Sequence, residues 1–552
     1  MQKTKIKKPS FLLNALTYKL FFSSLAVTAF SSVANVNFLG SVESDLTYQN
    51  IDSNRLGSND VFTLQIKPTA GALLNTRTLN GYWLGSVTHL QRTGSTAPGS
   101  DTYPEYQYGI DWEAIDNVLT FSGDGSLTYR NVSAADFLIA DFLNSDDNLT
   151  SAQTDRVSAR LTLLQGNWVR STGTVSYSRT DADESALFQN FALDSENYSA
   201  RGRIYNGDEA KRLFWSAKGA YVNTERSTRG LDDFVSRDAS AYADTLIFGN
   251  WGVRINGYYE QNEVSENRAA LSDNDEFTSY GAGIVYRQSS RRYIAVTVNE
   301  SISDDPSVDG EQFVGLDTKW ALSPRTSIDA ELGKNNYGRR ATASFNYETK
   351  YTNASLAYSD RVTNTSRLLT DETPIGIYVC PIDIGDVTGC AAQDDLNYVP
   401  VEGEQVIPIL EENFTLDDSV ILRESLVGSM GYTKGKIELA VSLQFSDEEL
   451  LERQLSRDTQ ALSVESRYRL NRNLYFVNNV SYAILEQQSE DNPGVESKNL
   501  SIHSGFEKQL NPRLLFQTYL TYLDKNGNYG TGRYGSDYRD IRLSVGARYL
   551  FD

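Results

Sequence analysis

Residues 118–130 read Val-Leu-Thr-Phe-Ser-Gly-Asp-Gly-Ser-Leu-Thr-Tyr-Arg, with apolar and polar side chains in alternation. Phe121 lies on the apolar face of an extended chain, whereas Asp124 and Arg130 lie on the polar face. Strands of soluble sheets usually have about five or six residues, whereas a tilted strand of about ten residues crosses a bilayer. The stretch is therefore typical of a transmembrane β-strand, with lipid on its apolar side and water on its polar side.

The same alternation recurs in residues 436–446 and 459–470. It predicts that Leu443 and Val464 face lipid, as Phe121 does, and that the neighbouring Gln444 faces the lumen. Charged residues on the polar faces would line that lumen, where opposite charges either tune ion passage or serve only hydration and strand pairing. The predicted lumen charges are Arg130, Arg254, Arg467, Arg469, Asp124 and Glu465.

The connections between these strands also alternate, because short turns such as Gly249-Asn250 are followed by longer polar or acidic stretches. The predicted long loops are residues 134–150, 181–191, 265–275 and 486–496. Short periplasmic turns and longer extracellular loops are the layout of an outer-membrane barrel. We therefore predict an all-β fold, a single antiparallel transmembrane β-barrel of about 24 strands (22–26), counted from residues 38–50 to residues 535–552.

The tryptophans support this topology, because all of them lie close to a predicted short turn. Aromatic rings favour the interface of a bilayer. We therefore predict an interface girdle on the inner side of the membrane, formed by Trp83, Trp112, Trp168, Trp215, Trp251 and Trp320. A soluble propeller, solenoid or sandwich remains the alternative fold, although a propeller would need four short strands per repeat and a recurring signature.

The N-terminus has the features of a secretory signal. Lysines 3, 5, 7 and 8 precede apolar stretches, and the small residues Ser32-Val33-Ala34 follow. We predict a signal peptide at 1–34 and one outer-membrane barrel at 35–552. The predicted location is the outer membrane of a Gram-negative cell after cleavage, in contact with membrane lipid and lipopolysaccharide.

Composition excludes several function classes. The net charge of −21 disfavours nucleic acid as a partner. The chain contains two His, His89 and His503, and two Cys, whereas metal and triad chemistry needs such residues in clusters. We therefore expect no enzyme activity, no catalytic or metal site and no cofactor. A lipid or glycan hydrolase that uses His503 is the alternative from another function class.

Cys380 and Cys390 lie within the longest predicted connection, residues 364–417. In an oxidising compartment we expect them to form one disulfide in an extracellular loop. Since no plug-sized segment precedes the first strand, only a loop could close the pore, and this acidic connection is the first candidate to fold into the mouth. The alternative is that the loop extends outward.

The last strand resembles the C-terminal assembly signal of bacterial outer-membrane proteins, which the outer-membrane assembly machinery recognises. Ser544, Gly546, Tyr549 and Phe551 fill its polar, glycine and aromatic positions, although Asp552 follows the final aromatic residue.

The opening of the mature chain resembles a family of outer-membrane proteins associated with exosortase (PEP-CTERM) and exopolysaccharide loci. The resemblance lies in the strand 46–50, an Asp/Asn-rich gap and the strand that ends at 66–71. It implies a channel or scaffold for export or assembly of an envelope exopolysaccharide, with the polysaccharide or its export proteins as partners. It implies no catalytic residue. A general or solute-specific diffusion porin is the alternative function.

Overall fold

The structure is a computed structural model, and its described residues lie between 35 and 551. The predicted signal peptide therefore lies outside the described residues. Within that span the described residues exclude 95–98, 132–133, 137, 140, 145–148, 184–192, 228–232, 265–274, 304–308, 371–375, 382–390, 394–403, 410–418, 453–454, 490–491 and 529–532. No helix in the described part of the chain is long and apolar enough to cross a membrane.

Twenty-four antiparallel strands form one closed ring. Each strand pairs with the next along the chain, except that β17 pairs with β21, and β1 pairs with β27 to close the ring. The prediction of an all-β, single antiparallel barrel of about 24 strands is therefore confirmed. The ring strands are β1 (Asn35–Ser53), β2 (Gly57–Asn75), β3 (Leu79–Thr93), β4 (Gly99–Ile115), β5 (Leu119–Asn131), β6 (Leu149–Leu163), β7 (Val169–Ala182), β8 (Leu193–Asn206), β9 (Leu213–Arg226), β10 (Phe234–Phe248), β11 (Trp251–Val264), β12 (Asp275–Ser289), β13 (Arg292–Ser303), β14 (Gln312–Ser323), β15 (Thr326–Asn335), β16 (Gly338–Glu348), β17 (Thr352–Asn364), β21 (Val420–Lys434), β22 (Ile437–Leu450), β23 (Leu455–Asn471), β24 (Leu474–Ser489), β25 (Asn492–Asn511), β26 (Leu514–Gly527) and β27 (Tyr538–Phe551).

The connection between β17 and β21 holds a short helix and a separate small sheet. The helix is α1 (Thr365–Thr370), and the sheet consists of β18 (Gly376–Pro381), β19 (Ala391–Gln393) and β20 (Glu404–Ile409). Cys380 belongs to β18, but Cys390 lies outside the described residues, so the disulfide stays a prediction.

The two ends of the barrel differ in their connections. We call the end with the short hairpins the turn end and the opposite end the loop end. At two of the tightest hairpins, Gly249 and Gly435 have φ of 58° and 68°, a conformation that glycine adopts without steric cost. One predicted loop is wrong: residues 486–496 are almost entirely strand, because β24 runs to Ser489 and β25 begins at Asn492. These residues are polar because they form the ends of β24 and β25, which extend the barrel wall beyond its apolar band.

The outward face of the ring exposes large apolar side chains. Val157, Ile284, Val314 and Leu520 are 61%, 60%, 66% and 55% exposed. The inward face is polar, and it buries many charged and hydroxyl groups, such as Arg423 and Thr63. This distribution is the reverse of a water-soluble protein, in which apolar side chains fill the interior.

Aromatic residues border the outward apolar band at both ends. At the turn end, Trp251 lies 4.8 Å from the Tyr286 ring, which lies 6.4 Å from Trp320. Nearer the loop end, outward tyrosines donate hydrogen bonds to carboxylates. These pairs are Tyr48–Asp60, Tyr108–Asp155, Tyr198–Glu196, Tyr358–Glu424 and Tyr522–Asp524. The sequence analysis predicted the tryptophan girdle. It did not predict the band of outward tyrosines nearer the loop end, because tyrosines occur throughout the chain.

Candidate functional site

The lumen is the candidate site, and strand register decides which residues face it. The inward face is the one on which side chains from separate parts of the ring meet. Lys218 Nζ on β9, for example, lies 3.2 Å from Glu331 Oε2 on β15. The register of strand pairing around the ring places all six predicted lumen charges on this face.

The structure does not bring the predicted lumen charges together. Arg467 binds Glu507 at 3.0 Å, and Glu465 accepts a hydrogen bond from Asn479 Nδ2 at 3.0 Å. Arg469 donates to the carbonyl of Gly435 near the turn end. Arg130 pairs in register with Thr150, and Asp124 with Arg156. These residues therefore line different parts of a common wall.

Arg254 belongs to a buried charge cluster whose pairings the sequence analysis did not predict. Its guanidinium contacts both Asp244 and Asp317. Arg287 also binds Asp244, whose side chain is fully buried. Tyr293 completes the cluster, because its hydroxyl donates to Asp317 at 3.1 Å and its ring lies 4.2 Å from the Arg287 guanidinium. Buried charges need such mutual pairing, because an unpaired one carries a large desolvation penalty.

Next to this cluster, the wall from β9 to β16 is drawn together by contacts across the lumen. Arg340 on β16 binds Glu331 on the neighbouring β15, and across the lumen its guanidinium lies 3.9 Å from the centroid of the Tyr258 ring on β11. With the Lys218–Glu331 pair, these contacts enclose a cavity of about 610 Å³. Eight basic and four acidic side chains line this cavity, although acids outnumber bases in the whole chain.

At the loop end, the connection between β5 and β6 folds into the barrel. It begins with a 3₁₀ turn at Ala134–Asp136. Lys525 on β26 binds the Asp136 carboxylate, and both side chains are buried. On β25, Ser497 Oγ and Asn499 Nδ2 donate to the carbonyl of Ala135 at 2.8 and 2.9 Å. The inward segment is defined as the described residues of 134–144, which are 134–136, 138–139 and 141–144. It reaches strands far from its own position in the ring.

The second half of the inward segment makes equally specific contacts. Arg542 on β27 binds the Asp141 carboxylate and donates from Nε to Asp540 at 2.6 Å. Phe142 stacks on Tyr103 with ring centroids 4.3 Å apart, and Ile139 is buried in an apolar cluster. The sequence prediction of a polar outer loop at 134–150 is therefore wrong for these residues. The sequence did indicate an inward position, because residues 134–143 read Ala-Ala-Asp-Phe-Leu-Ile-Ala-Asp-Phe-Leu. That stretch is too apolar for an exposed loop.

A second group of contacts crosses the loop end from β8–β10 to β17–β23. In α1, Ser366 accepts a hydrogen bond from Asn197 Nδ2 at 3.4 Å. Arg226 binds Glu452 through two hydrogen bonds of 2.9 and 2.8 Å. Pairing of β17 with β16 stops at Ser359, whereas its pairing with β21 continues to Asn364. The start of the predicted 364–417 connection thus lies inside the barrel, and most of its acidic part lies outside the described residues.

The two histidines lie on opposite faces of the wall. His503 faces the lumen, where its Nδ1 lies 2.8 Å from Thr521 Oγ1 and its ring packs on Tyr519. His89 faces outward beside Thr102. Among the described residues, no group of three or more His, Cys, Asp or Glu could hold a metal ion.

The last strand closes the ring. Its predicted assembly residues Tyr549 and Phe551 point outward, with ring centroids 5.1 Å apart, and Ser544 bonds Thr47. A Cβ at Gly546 would lie 1.7 Å from Asp45 Oδ1 and 2.9 Å from the carbonyl oxygen of Ser44. Glycine is therefore needed there for close approach of β27 to β1.

No family model and no curated protein matches this chain. Among solved structures, it is similar to the FrpB iron transporter from Neisseria meningitidis (F3-3 variant), with 11% identity, a TM-score of 0.39, and coverage of 93% of this chain and 81% of that one. It is also similar to the siderophore receptor PirA from Acinetobacter baumannii, with 11% identity, a TM-score of 0.40, and coverage of 93% of this chain and 80% of that one. A third similar structure is a loop L8 deletion mutant of OmpT, an outer membrane protein of Vibrio cholerae. It has 10% identity, a TM-score of 0.30, and coverage of 94% of this chain and 100% of that one. The fold assignment therefore rests on the strand pairing of this chain itself.

Proposed function

We propose that this protein is an outer-membrane channel through which a hydrophilic solute passes. The observation that carries the proposal is the inverted distribution of side chains, with an exposed apolar band outside and a charged lumen inside. An apolar band bordered by aromatic rings matches the surface that a bilayer covers. The closed ring also leaves no unpaired strand edge, as lipid requires.

In this arrangement the loop end faces the outside, in contact with lipopolysaccharide, and the turn end faces the periplasm. The tryptophans form the inner interface girdle. The C-terminal strand, with Tyr549 and Phe551 outward, is the segment that the outer-membrane assembly machinery recognises. The proposal assigns no catalytic step and no cofactor to the chain.

The more specific proposal is that the solute is an envelope exopolysaccharide, or that the barrel serves as a scaffold for its assembly or export. It is supported by the resemblance of residues 46–71 to proteins of exopolysaccharide loci. The second candidate is a diffusion porin. It is favoured by the inward segment 134–144, which occupies part of the loop end and narrows the passage.

We expect the mature protein, beginning at or near Asn35, in the outer-membrane fraction. The physical reason is the apolar band, because burying it in lipid removes a large apolar area from water. Cell fractionation measures the location of the intact protein, and N-terminal sequencing identifies the first residue of the mature chain. An intact chain in the periplasm or in the inner membrane would contradict the proposal, and a known periplasmic protein is the control.

Purified protein in planar bilayers and in liposomes tests the channel. We expect stepwise conductance and release of entrapped solutes, because the lumen is polar and water can fill it. Release of long acidic oligosaccharides supports polysaccharide passage, whereas release of small ions and sugars alone supports a porin. Absence of conductance in both the wild type and a variant without the inward segment, each with a folded barrel, would reject the channel.

A further inference from the structure

The inward faces of β6 to β9 carry charged side chains of one sign. Every charged residue at an inward position of these four fully described strands is basic. They are Arg156, Arg160, Arg170, Arg201, Arg203, Lys218 and Arg226. Some of them bind an acid from elsewhere in the chain: Arg226 binds Glu452 at the loop end, Arg170 binds Asp208, and Lys218 binds Glu331. We call the six residues other than Arg226 the basic strip.

Acids lie on the surrounding faces, and the inward charged residues of β10, which pairs with β9, are Asp238 and Asp244. The outward positions of the same strands carry Asp155, Asp181, Asp194, Glu196 and Glu225. On the adjoining strands β1 to β5, inward acids outnumber inward bases. Those acids are Glu43, Asp45, Asp101, Glu105, Asp111, Glu113 and Asp124, and the bases are Lys67, Arg92 and Arg130. In a chain of net charge −21, this segregation is a property of one wall of the lumen.

Like charges are adjacent within the strip. Arg203 on β8 pairs directly with Lys218 on β9, and Arg201 lies two residues from Arg203 on the same face. Directly opposite like charges destabilise a sheet. Arg201, Arg203 and Lys218 are nevertheless exposed within the barrel, where a soluble anion can reach them. Lys218 binds Glu331 across the lumen, and the exposed guanidinium groups of Arg201 and Arg203 are the cations that an anion would contact.

The neighbouring side chains indicate what kind of anion fits. Hydroxyl side chains occupy most of the inward positions between the basic residues, including Ser176 and Ser199, whose Oγ atoms lie 2.7 Å apart. Ser216 accepts a hydrogen bond from Arg203 Nε at 3.0 Å, and the Tyr205 ring lies 5.0 Å from the same guanidinium. Guanidinium groups bind carboxylates through paired hydrogen bonds. Hydroxyls and an aromatic ring suit the hydroxyl groups and apolar faces of a sugar.

The strip is longer than a single small anion. Arg156 and Arg160 are four residues apart on one strand, about 13 Å at 3.3 Å per residue, and the strip continues across three more strands. We propose that the basic strip is a binding track for an acidic oligosaccharide, a sugar chain that bears carboxylate groups. This inference rests on the proposed function, since a solute reaches the strip only through the lumen.

Binding in detergent micelles tests the strip independently of conduction. The probes are oligogalacturonate, a neutral maltooligosaccharide of equal length, and inorganic phosphate, each titrated calorimetrically into the full-length protein at several salt concentrations. We expect oligogalacturonate to bind most tightly, with an affinity that falls as salt rises. The double variant Arg201→Gln/Arg203→Gln should lose about tenfold or more in affinity, because charge-assisted hydrogen bonds are removed.

Arg469→Gln is the matched control, because Arg469 is an exposed inward arginine outside the strip. It should retain wild-type affinity. An equal loss in the control, equal binding of the neutral sugar, or phosphate binding as tight as that of the oligosaccharide would each overturn the proposal. If the double variant does not fold, Arg201→Gln alone is measured against the same control. Binding without conductance rejects the channel and keeps the strip, whereas conductance without binding rejects the strip alone.

Discussion

Replacing Leu443 by arginine is expected to lower the free energy of unfolding by about 2–4 kcal/mol, the cost of a cation on the lipid face near the midplane of a barrel. Leu443 pairs with Leu462 on the outward face, and it lies near the middle of β22, a strand of 14 residues. The charge would replace a side chain that lies against lipid in the proposed orientation. Denaturant unfolding of the barrel reconstituted in lipid measures the change.

Ser442→Arg is the matched control, because residue 442 precedes Leu443 on the same strand and points into the lumen. Its side chain is exposed there, so an added guanidinium stays in water. We expect a much smaller loss of stability than for Leu443→Arg. Equal losses in the two variants would mean that the two faces of β22 have the same surroundings, and the proposed membrane orientation would be wrong.

The second large effect is expected at the inward segment. Arg542→Met removes the partner of Asp540, which is fully buried, and of Asp141. Leaving a buried charge unpaired costs about 3–5 kcal/mol. The segment can relieve part of this cost by moving Asp141 out into water. We therefore expect both a lower unfolding free energy and a higher single-channel conductance than in the wild type.

Arg539→Met on the same strand is the control for this prediction. Arg539 faces outward, its side chain is 58% exposed, and its contact with Asp524 is 3.5 Å. Exposed ion pairs contribute little to stability, so conductance and stability should stay close to those of the wild type. Unchanged conductance of a folded Arg542→Met barrel would show that residues 134–144 do not restrict the passage.

The sequence alone determined the architecture, because each strand is defined by a local alternation of apolar and polar residues. Residues 118–130 and 459–470 show which side chains share a face, and turn residues such as Gly435 mark the hairpins. Local periodicity therefore predicted the strand number and the positions of lumen charges such as Arg254 and Arg467. The wrong loop at 486–496 arose because polar strand ends beyond the apolar band have the composition of a loop.

Only the tertiary structure decided what fills the lumen and which of its charged side chains contact each other. Asp136 meets Lys525 across 389 residues of sequence, and Arg226 meets Glu452 across 226. Such pairs form because ring closure brings distant strands around one polar space, in which a buried charge must find a partner. The basic strip likewise depends on register, because pairing of four strands places Arg160, Arg201 and Lys218 on one wall. Periodicity within a single strand cannot show which residues of other strands lie beside it.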